Sequence, residues 1–306
     1  MTEPESYSYP RYLTAKTTVD ARALNRRVWS RFVEAVADST SPVRVLEVGG
    51  GVGATVQRIV DALEPRSVDT LRYTIVDIEP ANIEAARAAL RDWAAGRGYR
   101  VSGTDPQVWT DGPMEVSVAF RTADLFDLAD AHDGPPYDAV VAQAVFDLLP
   151  IPEAHRALAP LLRTGGLWYL PIHFDGVTAF EPTVDPAMDS RIERLFHDSM
   201  ASAPDEPDRS GAHCGRRLLT HFRAADDALL EAGASDWVVF GREGAYPGDE
   251  AYFLHHILHF VETELTGHPD LDVEAFAEWI ATRRRQIDTG ALVYIAHQLD
   301  VLARKA

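Results

Sequence analysis

A glycine-rich turn with an acidic residue just before it is the stretch of this sequence whose residue types and spacing could do chemistry. In VRVLEVGGGVGATVQRIV, residues 43–60, a β-branched apolar run leads through four glycines into a helical pattern. A strand that ends in such a turn presents bare backbone N–H groups and the positive end of a helix dipole. Missing side chains also let a ligand approach closely. The pattern therefore predicts a site for a nucleotide-like cofactor.

The glycine spacing alone leaves the kind of cofactor open. Gly49, Gly51 and Ala54 fit the dinucleotide fingerprint G-x-G-x-x-G/A, and Asp77 ends the next predicted strand as the acidic residue. A NAD-dependent oxidoreductase is therefore one interpretation. An ordinary strand-to-helix turn with structural glycines is another, because such short motifs also match by chance.

The elements around the turn predict an α/β protein. After a helical stretch over 17–38, strand and helix patterns alternate up to residue 174, with helices at 54–63, 80–95 and 152–162. Apolar runs such as DAVVAQAVF are typical of strands buried on both faces of a parallel sheet. Further on, the patterns predict helices at 186–202, 216–232, 249–265 and 272–287, with strands at 235–241 and from 291 onward. A Pro/Asp/Ser-rich stretch at 201–211 predicts a loop.

The acidic residue ahead of the turn gives the spacing Glu47-x-Gly49-x-Gly51-x-Gly53, which resembles the first motif of class I S-adenosylmethionine-dependent methyltransferases. YTIVDIEPANIEAARAAL, RTADLFDL and YDAVVAQAVFDLLP are similar to the family's next segments in the same order. The resemblance implies S-adenosyl-L-methionine as cofactor. It assigns the cofactor to Glu47, Gly49, Gly51, Gly53, Asp77 (ribose), Asp124 (adenine amino group), Ile78 and Leu125 (flanking the ring), Gln143 (methionine part), and Tyr12 and Lys16 from an N-terminal lid.

The same resemblance implies a Rossmann-like, doubly wound, seven-stranded sheet, mostly parallel with an antiparallel last strand, and a helical cap insertion. We expect four parts along the chain. They are an N-terminal helical lid at 1–42, a cofactor-binding core at 43–183, a helical segment over the substrate site at 184–234, and closing strands at 235–306 with a helical insertion at 245–288. An amphipathic helix that covers the sheet edge is an equal alternative to the lid.

The segment after the strand YDAVVAQAV indicates which class of acceptor to expect. It lacks the D/N-P-P-Y/F motif of enzymes that methylate nucleobases or protein amides, so the resemblance favours a small-molecule acceptor. Methyl transfer from a sulfonium is an in-line displacement that needs alignment, and it needs a base only if the acceptor loses a proton. Phe146, Asp147 and His173 are predicted to face the acceptor, with His173 as the candidate base. A histidine held in a loop or packed under the cap is the alternative.

A second histidine pattern invites a metal interpretation, which we do not favour. His255, His259 and Glu262 share one face of a predicted helix, but no fourth ligand is evident and the H-E-x-x-H order is absent. We predict no metal site. The helix is expected instead to line a substrate pocket or to form a subunit contact, as in a homodimer.

Charge and composition narrow the partners. The 306 residues carry 29 Lys and Arg against 47 Asp and Glu, a net charge of −18, which would repel nucleic acid and anionic membranes. Cys214 is the only cysteine, and the N-terminus lacks the basic and apolar regions of a signal peptide, so a cytoplasmic protein is expected. A non-catalytic S-adenosylmethionine-binding regulatory protein stays open as an alternative.

Overall fold

Helices and strands alternate through most of the computed structural model, which describes residues 4–66, 68–201 and 210–306. The helices are α1 Tyr9–Ala15, α2 Thr17–Ala23, α3 Arg26–Ala37, α4 Ala54–Leu63, α5 Pro80–Gly96, α6 Leu128–Ala131, α7 Ile151–Leu158, α8 Pro186–Ala201, α9 Cys214–Ala224, α10 Glu250–Leu265 and α11 Val273–Asp288. The strands are β1 Val43–Val48, β2 Thr70–Asp77, β3 Arg100–Ser102, β4 Gln107–Thr110, β5 Glu115–Thr122, β6 Tyr137–Val141, β7 Leu162–Glu181, β8 Ala228–Ala234, β9 Trp237–Phe240 and β10 Val293–Arg304. Short 3-10 turns occur at Leu125–Asp127, Phe146–Leu148, Ala159–Leu161 and Gly211–His213.

All ten strands belong to one sheet with the order β3-β4-β5-β2-β1-β6-β7-β10-β8, and β9 also pairs with β10. The five strands from β5 to β7 are parallel, while β10 runs antiparallel to β7, β8 and β9. Apolar side chains of α3, α4 and α5 cover one face, and those of α6, α7 and α9 cover the other. The predicted Rossmann-like, doubly wound sheet with antiparallel closing strands is confirmed.

The cap is a separate apolar cluster at the carboxyl end of the sheet. It joins the N-terminal helices α1 and α2 to α8, α10 and α11, over the distal parts of β7 and β10. Helices α10 and α11 lie between β9 and β10, which is the predicted helical insertion. The two N-terminal helices, which we call the lid, therefore pack against residues more than 200 positions away along the chain.

Three local predictions need correction. The helix predicted at 216–232 ends at Ala224, and residues from Ala228 form β8 because that stretch hydrogen-bonds to β10. The helical segment predicted at 184–234 therefore ends in a strand. The helix predicted at 17–38 is two helices, because Asn25 is extended and its side chain accepts from the N–H groups of Arg27 and Val28 as the cap of α3. Strands β3 and β4, which extend the sheet, were not predicted.

Two further predictions concern a loop and the absence of membrane-spanning helices. The loop predicted at 201–211 falls largely on residues 202–209, which lie outside the described residues. None of the helices in the described ranges has the length and apolar character that spanning a membrane requires.

Candidate active site

The glycine turn follows β1 and opens α4, and its backbone conformation depends on glycine. Gly49, Gly51 and Gly53 have φ angles of +63°, +52° and +79°, a region that side chains strongly disfavour. A Cβ at Gly49 would lie 2.3 Å from Cγ2 of Val145. The turn therefore requires glycine at these positions, and Gly49 is exposed while Gly51 and Gly53 are buried.

Asp77, at the end of β2, ties the turn to the next helix. One carboxylate oxygen accepts from the N–H of Gly51 at 2.9 Å, and the other accepts from the N–H of Glu79 at 2.9 Å and from Nδ2 of Asn82 at 3.1 Å. The side chain is only 7% exposed. These bonds hold the carboxylate at the edge of the crevice, where its remaining lone pairs can accept from a ribose diol.

Glu47 lies beneath the turn rather than on its surface. It is 1% exposed, and one carboxylate oxygen accepts from the hydroxyl of Tyr73 at 2.9 Å. Burial raises the pKa of Glu47 to about 7, against the hydrogen bonds from Thr55 and Tyr73 that favour its ionised form. Near neutral pH the Glu47 carboxyl group can therefore be either protonated or ionised. A cation placed above the turn would favour the ionised form.

The predicted adenine side of the site is open. Ile78 directly follows Asp77 and its side chain is 63% exposed, an unusual position for a large apolar residue. Asp124 is exposed and its side chain accepts from the N–H of Phe126 at 3.0 Å, and Leu125 is half-buried. The chain after β5 is linked to the end of β2 by a bond from the N–H of Ala123 to the carbonyl of Asp77. This bond holds the segment that carries Asp124 and Leu125 next to the segment that carries Asp77 and Ile78.

Four charged or polar side chains form a network between the lid and the sheet. Asp20 of α2 accepts from Nε2 of Gln143 at 2.7 Å and from Nε1 of Trp237 at 2.9 Å, and Nζ of Lys16 lies 3.5 Å from the Asp20 carboxylate. Gln143 also accepts from Nη2 of Arg58. Lys16 and Asp20 are both less than a tenth exposed. The lid therefore contributes an anion and a cation directly above the glycine turn.

The lid closes tightly over the turn. A cavity of only about 40 Å³ separates Leu13, Lys16 and Asp20 of the lid from the glycines and Glu47. Pockets that hold ligands of cofactor size have volumes of about 300–1,000 Å³. The lid must therefore withdraw for a cofactor to enter.

The residues of this network suit the amino acid end of S-adenosylmethionine. Nε of Arg58 is buried, and among the described residues it has no hydrogen-bond partner. Arg58 and Lys16 offer cationic donors for a carboxylate, while Asp20 offers an acceptor for an ammonium group. When bound, the cofactor would supply a methyl group already activated by its sulfonium charge.

Tyr12 connects the lid to the cap instead of lying free over the crevice. Its ring stacks on His256 with centroids 4.6 Å apart and on Phe253 at 5.7 Å, and the side chain is 6% exposed. Burial, and then the charges of nearby acidic and phenolic groups, raise the pKa of the Tyr12 hydroxyl well above its usual range. Tyr12 therefore stays protonated and available as a hydrogen-bond donor.

The structure argues against His173 as a base. Its side chain is fully buried, Nε2 accepts from the N–H of Phe146 at 3.2 Å, and Nδ1 lies 3.2 Å from the carbonyl of Leu170. Burial lowers the pKa of His173 to about 4. Both ring nitrogens are engaged by backbone groups, so His173 instead fixes the turn after β6 against β7, which is the packed alternative recognised from the sequence.

The two other predicted acceptor residues differ from each other. Phe146 is fully buried in the cluster beneath β6 and β7, so its ring is not available to an acceptor and this prediction is corrected. Asp147 is half-buried in the same turn, and its charge contributes to the raised pKa values of Tyr9 and Tyr12 of the lid. Asp147 is therefore the predicted acceptor residue that faces the lid.

The histidine pattern on α10 does not converge on one point. His259 stacks on Tyr7 with centroids 4.1 Å apart, Glu262 pairs with Arg284, and Nε2 of His255 lies 3.4 Å from Asp288. Within the described ranges, no group of three or more His, Cys, Asp or Glu side chains could hold a metal ion.

Sequence reasoning missed several residues of the network. Asp20 lies four positions after Lys16, a spacing that pairs opposite charges on a helix and could have indicated it. Arg58, Thr55 and Trp237 carry no such signal, because the fold alone brings them beside Gln143 and Asp20.

Comparisons with known proteins agree with this geometry. A family model described as a methyltransferase domain matches residues 46–168, which include the glycine turn, Asp77, Asp124 and Gln143. The chain is similar to a polyamine aminopropyltransferase of Pyrobaculum neutrophilum, 28% identical over 213 residues that cover 61% of this chain and 68% of that protein. It is also similar to highly reducing polyketide synthase 2 of Gibberella zeae, 30% identical over 132 residues that cover 40% of this chain and 4% of the synthase.

Among solved structures, the chain is similar to an S-adenosylmethionine-dependent methyltransferase from Geobacter sulfurreducens in complex with S-adenosylhomocysteine. That similarity has a TM-score of 0.47 and 13% identity, and covers 98% of this chain and all of the other. The family match leaves the nicotinamide-dependent alternative without support. Residues 46–168 of the chain therefore carry a methyltransferase domain.

Proposed function

We propose that this protein transfers the methyl group of S-adenosylmethionine to a small-molecule acceptor by direct in-line displacement. The observation that carries the proposal is the enclosure of the crevice. The lid covers the glycine turn, and ion pairs between the lid and α10 hold it there, among them Arg22 with Glu250 and Arg11 with Asp249. Because the lid lies over the glycine turn, an acceptor has to reach the methyl group past the lid, which favours a small molecule over a polymer.

The cofactor site follows from the same arrangement. The glycine turn with Glu47 beneath it receives the methionine end together with Lys16 and Gln143. Asp77 accepts from the ribose hydroxyls, Asp124 from the adenine amino group, and Ile78 and Leu125 cover the faces of the ring. Tyr12 helps to hold the lid against the cap. The net charge of −18 supports a small molecule over nucleic acid as the acceptor.

The reaction itself asks little of the protein beyond alignment. The side chains hold the acceptor atom in line with the bond from the methyl carbon to sulfur, and the closed lid excludes water. We also propose a cytoplasmic location and a division of the chain into an N-terminal lid, a cofactor-binding core, a segment over the substrate site and closing strands with a helical insertion.

The test is a transfer assay with S-adenosylmethionine labelled in its methyl group. The protein is incubated with the low-molecular-mass fraction and, separately, with the macromolecular fraction of a cell extract. We expect label in the first fraction only. Label confined to the second would contradict a small acceptor. Calorimetric binding of S-adenosylhomocysteine without transfer in either fraction would favour a regulatory protein.

A further inference from the structure

A cavity of about 690 Å³ lies between helices α2, α3 and α4, apart from the narrow space over the glycine turn. Helix α2 forms part of the wall of both spaces. Asp20 lines the narrow space, whereas Ala21 and Arg22 line the larger one. A volume of about 300–1,000 Å³ is typical of pockets that hold small organic molecules. The larger space, which we call the arginine cavity, therefore has room for a ligand of its own.

Each of the three helices contributes one arginine to the wall of the arginine cavity: Arg22, Arg26 and Arg58. Arg22 donates from both Nη atoms to the buried carboxylate of Glu250, so its charge is balanced. Arg26 is exposed and forms no hydrogen bond or ion pair with any residue that the structure describes. Arg58 donates to neutral side chains only, within the same described ranges. Two guanidinium groups of the cavity are therefore left without a carboxylate at ion-pair distance.

The remaining side chains of the wall leave this positive charge unbalanced. Asp61 is paired with Arg97 at 2.8 Å. Leu24, Trp29 and Ala62 are partly buried and give the cavity apolar surface. In a protein with a net charge of −18, such a local excess of positive charge indicates a site for an anion. Guanidinium groups bind phosphate and carboxylate through paired hydrogen bonds, so the wall suits an organic molecule with two negative charges.

Arg58 connects the arginine cavity to the proposed cofactor site. Its Nη2 donates to Oε1 of Gln143 at 2.5 Å and to Oγ1 of Thr55 at 3.1 Å. Gln143 in turn donates to Asp20 at 2.7 Å, and these three partners line the narrow space over the glycine turn. A change in the position of the Arg58 guanidinium therefore reaches the groups that we assign to the methionine end of the cofactor.

From this arrangement we infer that the arginine cavity binds a small organic dianion, a phosphate monoester or a dicarboxylate, and that its occupation opposes cofactor binding. The inference goes beyond the proposed function, because it concerns a second site and does not depend on the acceptor. Only binding to the chain is involved, with no chemical step.

The position of the lid gives the first reason for the opposition. The cavity is formed in the same arrangement that leaves only about 40 Å³ over the glycine turn. A dianion that contacts α2, α3 and α4 together stabilises this closed arrangement, whereas the cofactor needs the lid withdrawn. The two ligands therefore favour different positions of the lid, and each must lower the affinity for the other by the same factor.

Competition for Arg58 gives the second reason. The carboxylate of the cofactor needs the Arg58 guanidinium directed toward the glycine turn, where Gln143 now accepts from it. A dianion in the arginine cavity draws the same guanidinium toward α3. Couplings between two sites of one protein typically change affinity about 5–150-fold. We expect a value near the lower end, about tenfold, because only one of the shared groups is charged and free.

The first experiment measures binding by calorimetry at constant ionic strength. The probes are phenyl phosphate and benzylmalonate, two aromatic dianions, with benzyl alcohol as the neutral control. We expect at least one dianion to bind and the alcohol not to bind, and the tighter of the two identifies phosphate or dicarboxylate as the charged group. A saturating amount of that probe should raise the Kd for S-adenosylhomocysteine about tenfold, and the reverse titration should show the same factor.

The second experiment compares Arg26→Gln with the matched control Arg27→Gln. Both arginines are exposed on α3 and both changes remove one charge, but Arg27 pairs with Glu231 and does not line the cavity. Arg26→Gln should weaken probe binding about tenfold through the loss of one ionic hydrogen bond, and Arg27→Gln less than about twofold. Neither variant should change the Kd for S-adenosylhomocysteine without probe. The probe should raise the midpoint of thermal unfolding of the wild type more than that of Arg26→Gln.

A third variant, Lys16→Met, tests whether the probe binds over the glycine turn instead. Lys16 lines the narrow space and not the arginine cavity. We expect Lys16→Met to alter the Kd for the probe less than about twofold, because the charges that hold the dianion are those of Arg26 and Arg58. A larger loss in Lys16→Met than in Arg26→Gln would place the probe in the cofactor site and overturn the inference.

Other results would also overturn it. These are the absence of binding of both dianions, equal losses in Arg26→Gln and Arg27→Gln, or a Kd for S-adenosylhomocysteine that is the same with and without saturating probe. Failure of the proposed function looks different, because the protein would then transfer the labelled methyl group to no small molecule, while the binding of the dianion and its effect on S-adenosylhomocysteine would still be measured.

Discussion

The proposed cofactor half and the proposed acceptor half of the crevice are built in different ways. The cofactor half consists of segments that follow the neighbouring strands β1, β2 and β5, and each contributes within a few residues of a strand end. The acceptor half has Asp147 in the turn after β6, and its charge acts on Tyr9 and Tyr12 of the lid. The first half relies on backbone geometry, whereas the second relies on side chains that only the cap places together.

This difference predicts how each half responds to substitution. Substitutions in the cofactor half should alter the cofactor affinity and the pH dependence of stability, whichever acceptor is used. Changes in the acceptor half should leave cofactor affinity nearly unchanged. The lid belongs to both halves. Substitutions in the lid should therefore show whether it contributes more to cofactor binding or to acceptor binding.

The largest effect is expected at Asp77. Both carboxylate oxygens of Asp77 accept hydrogen bonds, one from the N–H of Gly51 and the other from the N–H of Glu79. In Asp77→Asn an amide N–H₂ replaces one of these oxygens and cannot accept such a bond. The ribose hydroxyls also lose a charged acceptor. We expect the Kd for S-adenosylhomocysteine, measured by calorimetry, to rise about 100-fold. Asp147→Asn is the matched change in the acceptor half and should alter this Kd less than about twofold. Equal losses in both variants would break the comparison.

A second test uses the pH dependence of stability. The folded-state pKa of Glu47 is raised to about 7, above the ordinary value of 4.5, so the folded protein binds a proton that the unfolded chain releases. This contribution is fully present below about pH 4.5 and is lost as the pH rises to 7. We expect the wild type to lose up to about 3 kcal/mol of unfolding free energy over this window relative to Glu47→Gln.

Urea unfolding of both proteins at several pH values provides the measurement. The amide side chain of the Glu47→Gln variant can still accept from Tyr73 but does not titrate, so titration of other groups cancels in the difference. Parallel curves for the two proteins would mean that Glu47 ionises normally. In addition, cofactor binding at pH 6 should release protons in the wild type but not in Glu47→Gln, as calorimetry in buffers of different ionisation enthalpy would report.

A third test concerns the attachment of the lid. Glu250 is fully buried and accepts from both Nη atoms of Arg22 and from the hydroxyl of Thr18. Arg22→Ala leaves this carboxylate without its cation, so we expect a loss of about 2 kcal/mol in unfolding free energy. Arg11→Ala breaks the exposed pair with Asp249 and should cost less than about 1 kcal/mol. A reversed order would mean that the outer pair holds the lid.

The smallest effect is expected at Lys16. Lys16→Met keeps the length of the side chain but removes the charge that we assign to the cofactor carboxylate. We expect the Kd for S-adenosylhomocysteine to rise about tenfold, which corresponds to the loss of one ionic hydrogen bond. The Kd for 5′-methylthioadenosine, which lacks the amino acid end, should stay the same. A parallel loss for both ligands would assign Lys16 to general packing of the lid.

The sequence was informative wherever function depends on a short local pattern. The spacing of Glu47 and the glycines, and the acids that end later strands, predicted both the fold class and the cofactor. It was misleading at His173, which lies at the expected strand end but has both ring nitrogens bonded to backbone groups. It was also misleading at Phe146, whose position in the correct turn said nothing about the direction of its ring.

Local sequence patterns could not place Arg58 and Trp237 in the network that contains Gln143 and Asp20. These side chains come from separate elements, and their contacts follow from how helices pack and not from any spacing along the chain. For the same reason, the stretch at 228–232 was predicted as a helix. It is a strand because β10 offers it an unpaired edge, which outweighs its local preference.

By itself, the sequence determined the order of strands and helices apart from β3, β4 and β8, together with the glycine turn and the carboxylates around it, because each depends on residues that are neighbours along the chain. Only the tertiary structure decided that the lid attaches to α10, that Glu47 is buried and has a raised pKa, and that His173 faces the backbone. Burial, hydrogen-bond partners and electrostatic surroundings are properties of atoms that meet in space, and here they meet across more than 200 residues of chain.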